Sequence, residues 1–184
     1  SKASLACYIL GGILLAFNEN LSVLSICVAA LLFIAQAFYI LKKRVRKAYD
    51  YWNVNIVLSL VALLGAAVFI ALDKLNLAAY FLIYGFLFAF IVAHLYKIAP
   101  FLIWYHYVAP FVGKVKVPLL DAMILKKIAY FGIAFNAVSL LCYLFSTCFE
   151  LEILVQAGMI FIALSVVLLS INIINIFRFT GFKG

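Results

Sequence analysis

The two histidines are the side chains in this chain that are best suited to specific chemistry, and both lie in one segment, His94 to Leu120. An imidazole can bind haem or copper, relay a proton, or simply hydrogen-bond a backbone carbonyl or a lipid headgroup. His94 and His106 are 12 positions apart in the sequence. In one unbroken helix they would be about 18 Å apart, too far to share a metal. A bend before Pro100 would change that distance, because proline lacks a backbone donor and disfavours helix in the preceding residue.

Aromatic and basic residues surround these histidines, in a pattern typical of the membrane–water interface. The tryptophan and tyrosines predict a belt at headgroup depth, and the lysines are predicted to face anionic phospholipid headgroups at about 1 kcal/mol each. The same side chains are alternatively a docking surface for a partner subunit. The residues assigned to this interfacial or partner-binding role are Tyr96, Lys97, Trp104, Tyr105, Tyr107, Lys114 and Lys116.

The composition defines the scaffold that must position these residues. The chain is 70% hydrophobic and 11% charged, far from the roughly 25% charged residues of soluble domains. We therefore expect a single integral membrane domain over residues 1–184. The net charge of +8 comes from loops between apolar spans, which argues against a nucleic-acid partner. Because the chain starts at Ser1 with an apolar run already under way, we expect it to be a fragment of a longer polytopic protein.

The apolar runs predict an all-α bundle of about six transmembrane helices. The expected spans are residues 3–17, 21–41, 54–72, 75–96, 128–145 and 153–177. With the amino terminus in the cytoplasm, 13 of the 14 basic residues lie on the inner side and only Lys74 lies outside. This bias predicts cytoplasmic amino and carboxyl termini. The segment between the fourth and fifth helices is then an interfacial elbow on the cytoplasmic side.

The spans carry no charged residue near their middle, which argues against a coupled-transport mechanism. Their polar side chains are amides and hydroxyls, and the simplest interpretation is hydrogen bonding between helices at about 0.6 kcal/mol per bond. An alternative is that Asn136 and Gln156, from neighbouring helices, line a polar cavity.

The segment HLYKIAPFLIWYHYVAPFVGKVKVPLL also resembles a signature of poorly characterised bacterial polytopic proteins that are similar to haem-copper oxidase subunit I-like and NnrS-like membrane proteins. The matching positions are Leu95 to Ile98, Pro100 to Leu102, Trp104, Gly113-Lys114 and Val117 to Leu120. The resemblance implies the carboxy-terminal half of such a protein, with His94 and then His106 as candidate haem or copper ligands. The chain departs from haem-copper catalytic subunits, which bind their metals through six histidines.

Three functional hypotheses follow. The first is a bacterial inner-membrane protein associated with respiratory electron transfer or with haem or copper handling. The second is a non-catalytic structural or accessory subunit, in contact with other membrane subunits of a respiratory complex. The third is half of a transporter, which would be expected to carry a broken helix near mid-membrane rather than prolines at the interface.

Overall fold

The structure is a bundle of long helices. The computed structural model describes residues 2–14, 19–43 and 50–182. The α-helices are α1 (Lys2–Leu14), α2 (Glu19–Lys42), α3 (Tyr51–Ala71), α4 (Leu75–Tyr80), α5 (Phe88–Ile103), α6 (Lys126–Phe149) and α7 (Glu152–Phe177). π-helical segments cover Phe81–Leu87 and Trp104–Val108, and 3-10 turns cover Ala109–Phe111, Leu120–Met123 and Arg178–Gly181. No strand occurs in these ranges, so the all-α prediction is confirmed.

Five of the described helical stretches are long and apolar enough to cross a bilayer, and they indicate a multi-pass membrane protein. They are residues 21–42, 51–71, 75–111, 126–149 and 152–181. Helix α1 has 13 residues, about 20 Å at the rise of an α-helix. The end of the first predicted span, residues 15–17, lies outside the described residues, as does most of the basic run that follows α2.

The fourth apolar stretch differs from its predicted form. It was expected to end near Tyr96, but α4, the first π-helical segment, α5 and the turns after it form one continuous helix of 37 residues, from Leu75 to Phe111. Pro100 lies inside α5 and is buried. At 1.5 Å per residue this helix is about 55 Å long, whereas the hydrocarbon core is about 30 Å thick. The first half of the predicted elbow is therefore a helical extension, and the chain leaves helical geometry only at Val112.

Local sequence explains where the helices begin and turn. The side chain of Asp50 accepts a hydrogen bond of 3.1 Å from the backbone N–H of Asn53 and so caps the start of α3. At the opposite end of the bundle, Asp73 and Glu150 adopt left-handed backbone conformations, with φ of 58° and 54°. These residues reverse the chain within very short turns, one between α3 and α4 and the other between α6 and α7.

Small residues bring the carboxy-terminal helices close together. Ser139 of α6 donates a hydrogen bond of 2.8 Å to the carbonyl of Gly158 on α7, and Ser165 of α7 donates one of 2.8 Å to the carbonyl of Gly132 on α6. Such contacts between small residues are the usual means of helix association in membranes. The α6–α7 pair consequently forms a firm platform against which α3 and α5 pack.

The amino-terminal hairpin of α1 and α2 packs against α3 and α5 through an apolar cluster that includes Ile34, Ile56, Leu60 and Ala93. Beside this contact, an apolar groove of about 570 Å³ separates the hairpin from α3 and the first π-helical segment. The bundle therefore consists of a compact carboxy-terminal part and a hairpin attached along part of its length.

Candidate functional site

His94 lies on α5 and is half-buried. Its Nδ1 is 2.8 Å from the carbonyl oxygen of Phe90, one helical turn earlier, and its ring centroid is 4.4 Å from that of Phe90. In the neutral imidazole the Nδ1–H donates this hydrogen bond, which leaves Nε2 as the acceptor. One ring nitrogen is thus fixed by the helix, and Nε2 is the atom that His94 can offer to a ligand.

His106 repeats this arrangement twelve residues further along the same helix. Its Nδ1 donates to the carbonyl oxygen of Leu102 over 2.9 Å, and the side chain is exposed. Because the helix continues through Pro100, the two imidazoles are separated by about 18 Å of helix axis. A metal shared between His94 and His106 is therefore ruled out within this chain.

Over residues 2–14, 19–43 and 50–182, no group of three or more His, Cys, Asp or Glu side chains is placed to hold a metal ion together. Each histidine could supply at most a single ligand, with the remaining ligands coming from elsewhere.

Tyr96 was predicted to lie at the interface, but it points into the bundle and is only 3% exposed. Its hydroxyl accepts a hydrogen bond of 3.4 Å from the side-chain amide of Asn172 on α7, and its ring meets the ring of Tyr51 edge-on at 5.6 Å. This face of α5 packs against α3 and α7, so Tyr96 binds neighbouring helices and is shielded from lipid headgroups.

Trp104 is also a structural residue. It is half-buried, and its indole Nε1–H donates a hydrogen bond of 2.9 Å to the carbonyl oxygen of Pro118. This bond ties the end of the long helix to the loop that returns from it. Trp104 therefore holds the elbow together, and its predicted role in interfacial or partner contact stays a prediction.

The other predicted interfacial residues remain on the outside. Lys97 is exposed, with its ammonium nitrogen 3.6 Å from the ring centroid of Trp52, a cation–π contact between α5 and α3. Tyr105 and Tyr107 are 60% and 45% exposed. Lys114 and Lys116 lie exposed on the loop after the helix. We call the four residues Tyr105, Tyr107, Lys114 and Lys116 the elbow surface.

The second half of the elbow is anchored by two asparagines on α7. The Oδ1 of Asn172 accepts a hydrogen bond of 2.9 Å from the backbone N–H of Leu125, and the amide of Asn175 donates one of 2.9 Å to the carbonyl oxygen of Met123. Met123 is fully buried. The sequence interpretation assigned these amides to helix–helix bonds, and Asn172 makes one, to Tyr96 on α5. It did not predict that both amides hold a loop, although their spacing of three residues places them on one face of α7.

An ion pair and a tyrosine complete this anchoring. Asp121 forms a salt bridge with Lys126 at the surface and accepts a hydrogen bond of 3.3 Å from the hydroxyl of Tyr51 at the start of α3. The loop is thereby attached to α3 as well as to α7. The elbow surface is carried on a segment with a defined conformation.

The alternative prediction, a polar cavity lined by Asn136 and Gln156, is correct for Asn136 and wrong for Gln156. Asn136 is 1% exposed and lines a small cavity between α3, α5, α6 and α7. Gln156 lies on the exposed side of α7 and does not reach this cavity. A helix that is apolar on all sides gives no indication of which face is buried, and this is why Gln156 was misplaced.

Comparison with known proteins adds no functional assignment. No protein-family model, no curated protein sequence and no solved structure matches this chain. The resemblance to haem-copper oxidase subunit I-like and NnrS-like proteins stays a prediction.

Proposed function

We propose that this chain is a non-catalytic, multi-pass subunit of a bacterial inner-membrane complex, and that its elbow surface binds anionic phospholipid headgroups. The observation that carries the proposal is the elbow surface itself. Two exposed tyrosines and two exposed lysines stand on a segment that internal hydrogen bonds hold in place.

The length of the Leu75–Phe111 helix supports this arrangement. A helix of 37 residues exceeds the hydrocarbon core by about 25 Å. If Leu75 lies at one boundary of that core, Lys97 lies near the other, and Tyr105 and Tyr107 lie about 12 to 15 Å further along the axis. The proposal therefore requires the segment after Pro100 to incline toward the membrane plane, which keeps both tyrosines at headgroup depth. Tyrosine is enriched at that depth because its ring is apolar and its hydroxyl is polar.

The charge distribution supports the orientation in the proposal. Lys42, Lys126 and Arg178 lie at the ends of α2, α6 and α7 that share one side of the bundle. Lys97 on α5 lies on the same side, over the ring of Trp52 at the start of α3. Placing this side in the cytoplasm follows the positive-inside bias. With α1 as the first of six spans, both chain termini are then cytoplasmic.

The lipid contact can be tested by replacing Lys114 and Lys116 with glutamine. Phospholipids that stay bound to the protein are counted by native mass spectrometry after reconstitution into mixed phosphatidylglycerol and phosphatidylcholine bilayers. We expect the double variant to retain less phosphatidylglycerol, because each lysine contributes about 1 kcal/mol. Lys74→Gln, on the exposed turn at the opposite end, is the matched control and should retain the wild-type amount. Equal retention by all three proteins would refute the proposed contact.

A second candidate function is association with respiratory electron transfer or with haem or copper handling, with His94 supplying one ligand. The specific observation in its favour is the Nδ1–H bond to Phe90. Metal-ligating histidines usually donate their other ring N–H to a carbonyl or a carboxylate, which fixes the ring and its tautomer. The remaining ligands would come from other membrane subunits or from further parts of the protein.

This second function is tested with the full native protein in detergent. Oxidised and reduced absorption spectra and the iron and copper content are recorded for the wild type, His94→Ala and His106→Ala. Loss of a Soret band in His94→Ala alone would support the ligand assignment, and subunits that co-purify would identify the complex. A colourless, metal-free wild type would leave only the accessory role.

A further inference from the structure

A small cavity lies inside the bundle, enclosed by α3, α5, α6 and α7. Its volume is about 10 Å³, close to the smallest space that holds one water molecule. Each of the four helices contributes a polar residue to its lining, together with apolar side chains such as Val92 and Ile133. Asn136, ten residues into α6, is about 15 Å from the start of that helix and therefore near the middle of the span.

Three side-chain atoms at this cavity have no hydrogen-bond partner among the described residues. They are Nδ2 and Oδ1 of Asn136 and Nδ2 of Asn55, on residues that are 1% and 2% exposed. Buried polar groups are nearly always hydrogen-bonded, because an unpaired group in an apolar environment is costly. The neighbouring Ser165 does not resolve this, since its hydroxyl already donates to the carbonyl of Gly132.

The three atoms also restrict the chemistry of any occupant. Two of them are donors and one is an acceptor, and turning the Asn136 amide over leaves both kinds of atom in place. A cation would bind the amide oxygen but would be repelled by the amide N–H groups. An anion would accept from the N–H groups but would be repelled by the oxygen. Only a molecule that both donates and accepts matches all three, and the volume limits it to one molecule of the size of water.

We propose that this cavity is a binding site for a single water molecule that bridges Asn55 on α3 and Asn136 on α6. The water accepts hydrogen bonds from the side-chain amides and donates one to the Oδ1 of Asn136. It thereby links α3 to the α6–α7 platform through a hydrogen-bonded contact in the hydrocarbon region. This site is independent of the elbow surface and of His94.

The enclosure of the cavity is consistent with a retained water. Val92, Tyr96, Ala129 and Ile133 line the cavity and also pack in the apolar cluster that contains Met123. The loop that contains Met123 therefore packs against residues that line the cavity. A water held there would exchange slowly with bulk solvent.

Solid-state NMR on the wild-type protein in liposomes tests this directly. With asparagine labelled by ¹⁵N, magnetisation is transferred from water to side-chain amides. We expect transfer to the amides of Asn136 and Asn55 but not to that of Asn172, which is fully buried and bonded to Tyr96. Transfer to Asn136 no greater than to Asn172 would overturn the proposal.

A double-mutant cycle decides the question if the Asn136 resonance is too broad to observe. Asn55→Ala and Asn136→Ala each remove one partner of the bridging water. We expect the double variant to lower the melting temperature by less than the sum of the two single decreases, because the second change finds the bridge already broken. Strictly additive decreases would overturn the proposal.

Discussion

The amino-terminal hairpin and the carboxy-terminal bundle of α3 to α7 are both apolar, but different interactions hold them together. In the hairpin, Ser4 donates to the carbonyl of Ala29 over 3.1 Å and Ser25 donates to that of Cys7 over 2.6 Å. Both bonds stay within the hairpin. Its attachment to the bundle consists of the apolar cluster around Ile34 and Leu60, with a groove of about 570 Å³ beside it, and of one long thiol hydrogen bond of 3.9 Å from Cys27 to the carbonyl oxygen of Ala67.

In the bundle, directional bonds connect different helices and the elbow loop. Tyr80 donates to Ser139 over 2.7 Å, and Ser139 in turn donates to the carbonyl of Gly158. Asn172 joins α7 to Tyr96 and to Leu125. Apolar packing without directional bonds tolerates small shifts, whereas a network of hydrogen bonds specifies one arrangement. We therefore expect mutations in the bundle to cost more than comparable mutations in the hairpin.

The largest expected effect is at Gly85 in the first π-helical segment. A Cβ atom at this position would lie 2.5 Å from the Cβ of Ala62 and 3.2 Å from Leu140. Gly85→Ala should therefore destabilise the protein by about 3 kcal/mol, the upper end of typical overpacking, as measured by unfolding in mixed micelles. Gly12→Ala in the hairpin is the control, because nothing lies within 4 Å of its Cβ position. Equal stability of the two variants would contradict the contrast between the regions.

Loss of the Asn172 side chain should have the next largest effect. Asn172→Ala removes the bonds to Leu125 and Tyr96 at a cost of about 2 kcal/mol, since buried partners are left unsatisfied. Hydrogen exchange at the Leu125 amide should rise. Gln156→Ala, on the exposed side of the same helix, should change neither quantity. Unchanged exchange at Leu125 in Asn172→Ala would show that the loop is held by other contacts.

Trp104→Phe should cost about 1 kcal/mol, because it keeps the aromatic packing and removes only the bond to Pro118. Faster hydrogen exchange over residues 112–119 would report the loosened loop. The control is Tyr107→Phe, which changes an exposed hydroxyl on the same extension. If both variants exchange alike, the indole bond does not determine the conformation of the elbow.

The smallest effect is expected in the hairpin. Ser25→Ala removes one helix–helix hydrogen bond, which is worth about 0.6 kcal/mol in membranes. The melting temperature should fall slightly, and the Leu125 exchange rate should stay at its wild-type value. A loss as large as that of Asn172→Ala would mean that the hairpin is as specifically held as the bundle.

Hydropathy alone identified the apolar helices, because a span must be long and continuous to bury its backbone polar groups. The fourth helix was expected to end near Tyr96 but continues through Pro100, since proline costs one backbone bond whereas ending the helix would leave several more unpaired. The π-helical turn Trp104–Val108 directly follows α5.

The sequence predicted less of the candidate site than of the fold. His94, His106, Lys114 and Lys116 could be singled out by residue type, but the inward position of Tyr96 depends on the rotation of a helix that is apolar on nearly every face. That Asn136 and Asn55 line the same cavity depends on the same rotation. Such contacts arise from tertiary packing and leave no signal in the local sequence.

The π-helical segment Phe81–Leu87 also determines which neighbouring helix the side chains in the later half of the long helix face. An α-helix advances about 100° per residue. Because a π-helical turn contains more residues, it changes the direction in which all later side chains point around the helix axis. Tyr80 before the segment meets α6, while Tyr96 after it meets α7. Deleting a single residue between them would turn the later half of the helix by about 100° and carry Tyr96 away from Asn172. A helical wheel drawn through all 37 residues therefore assigns the wrong face to one of its halves.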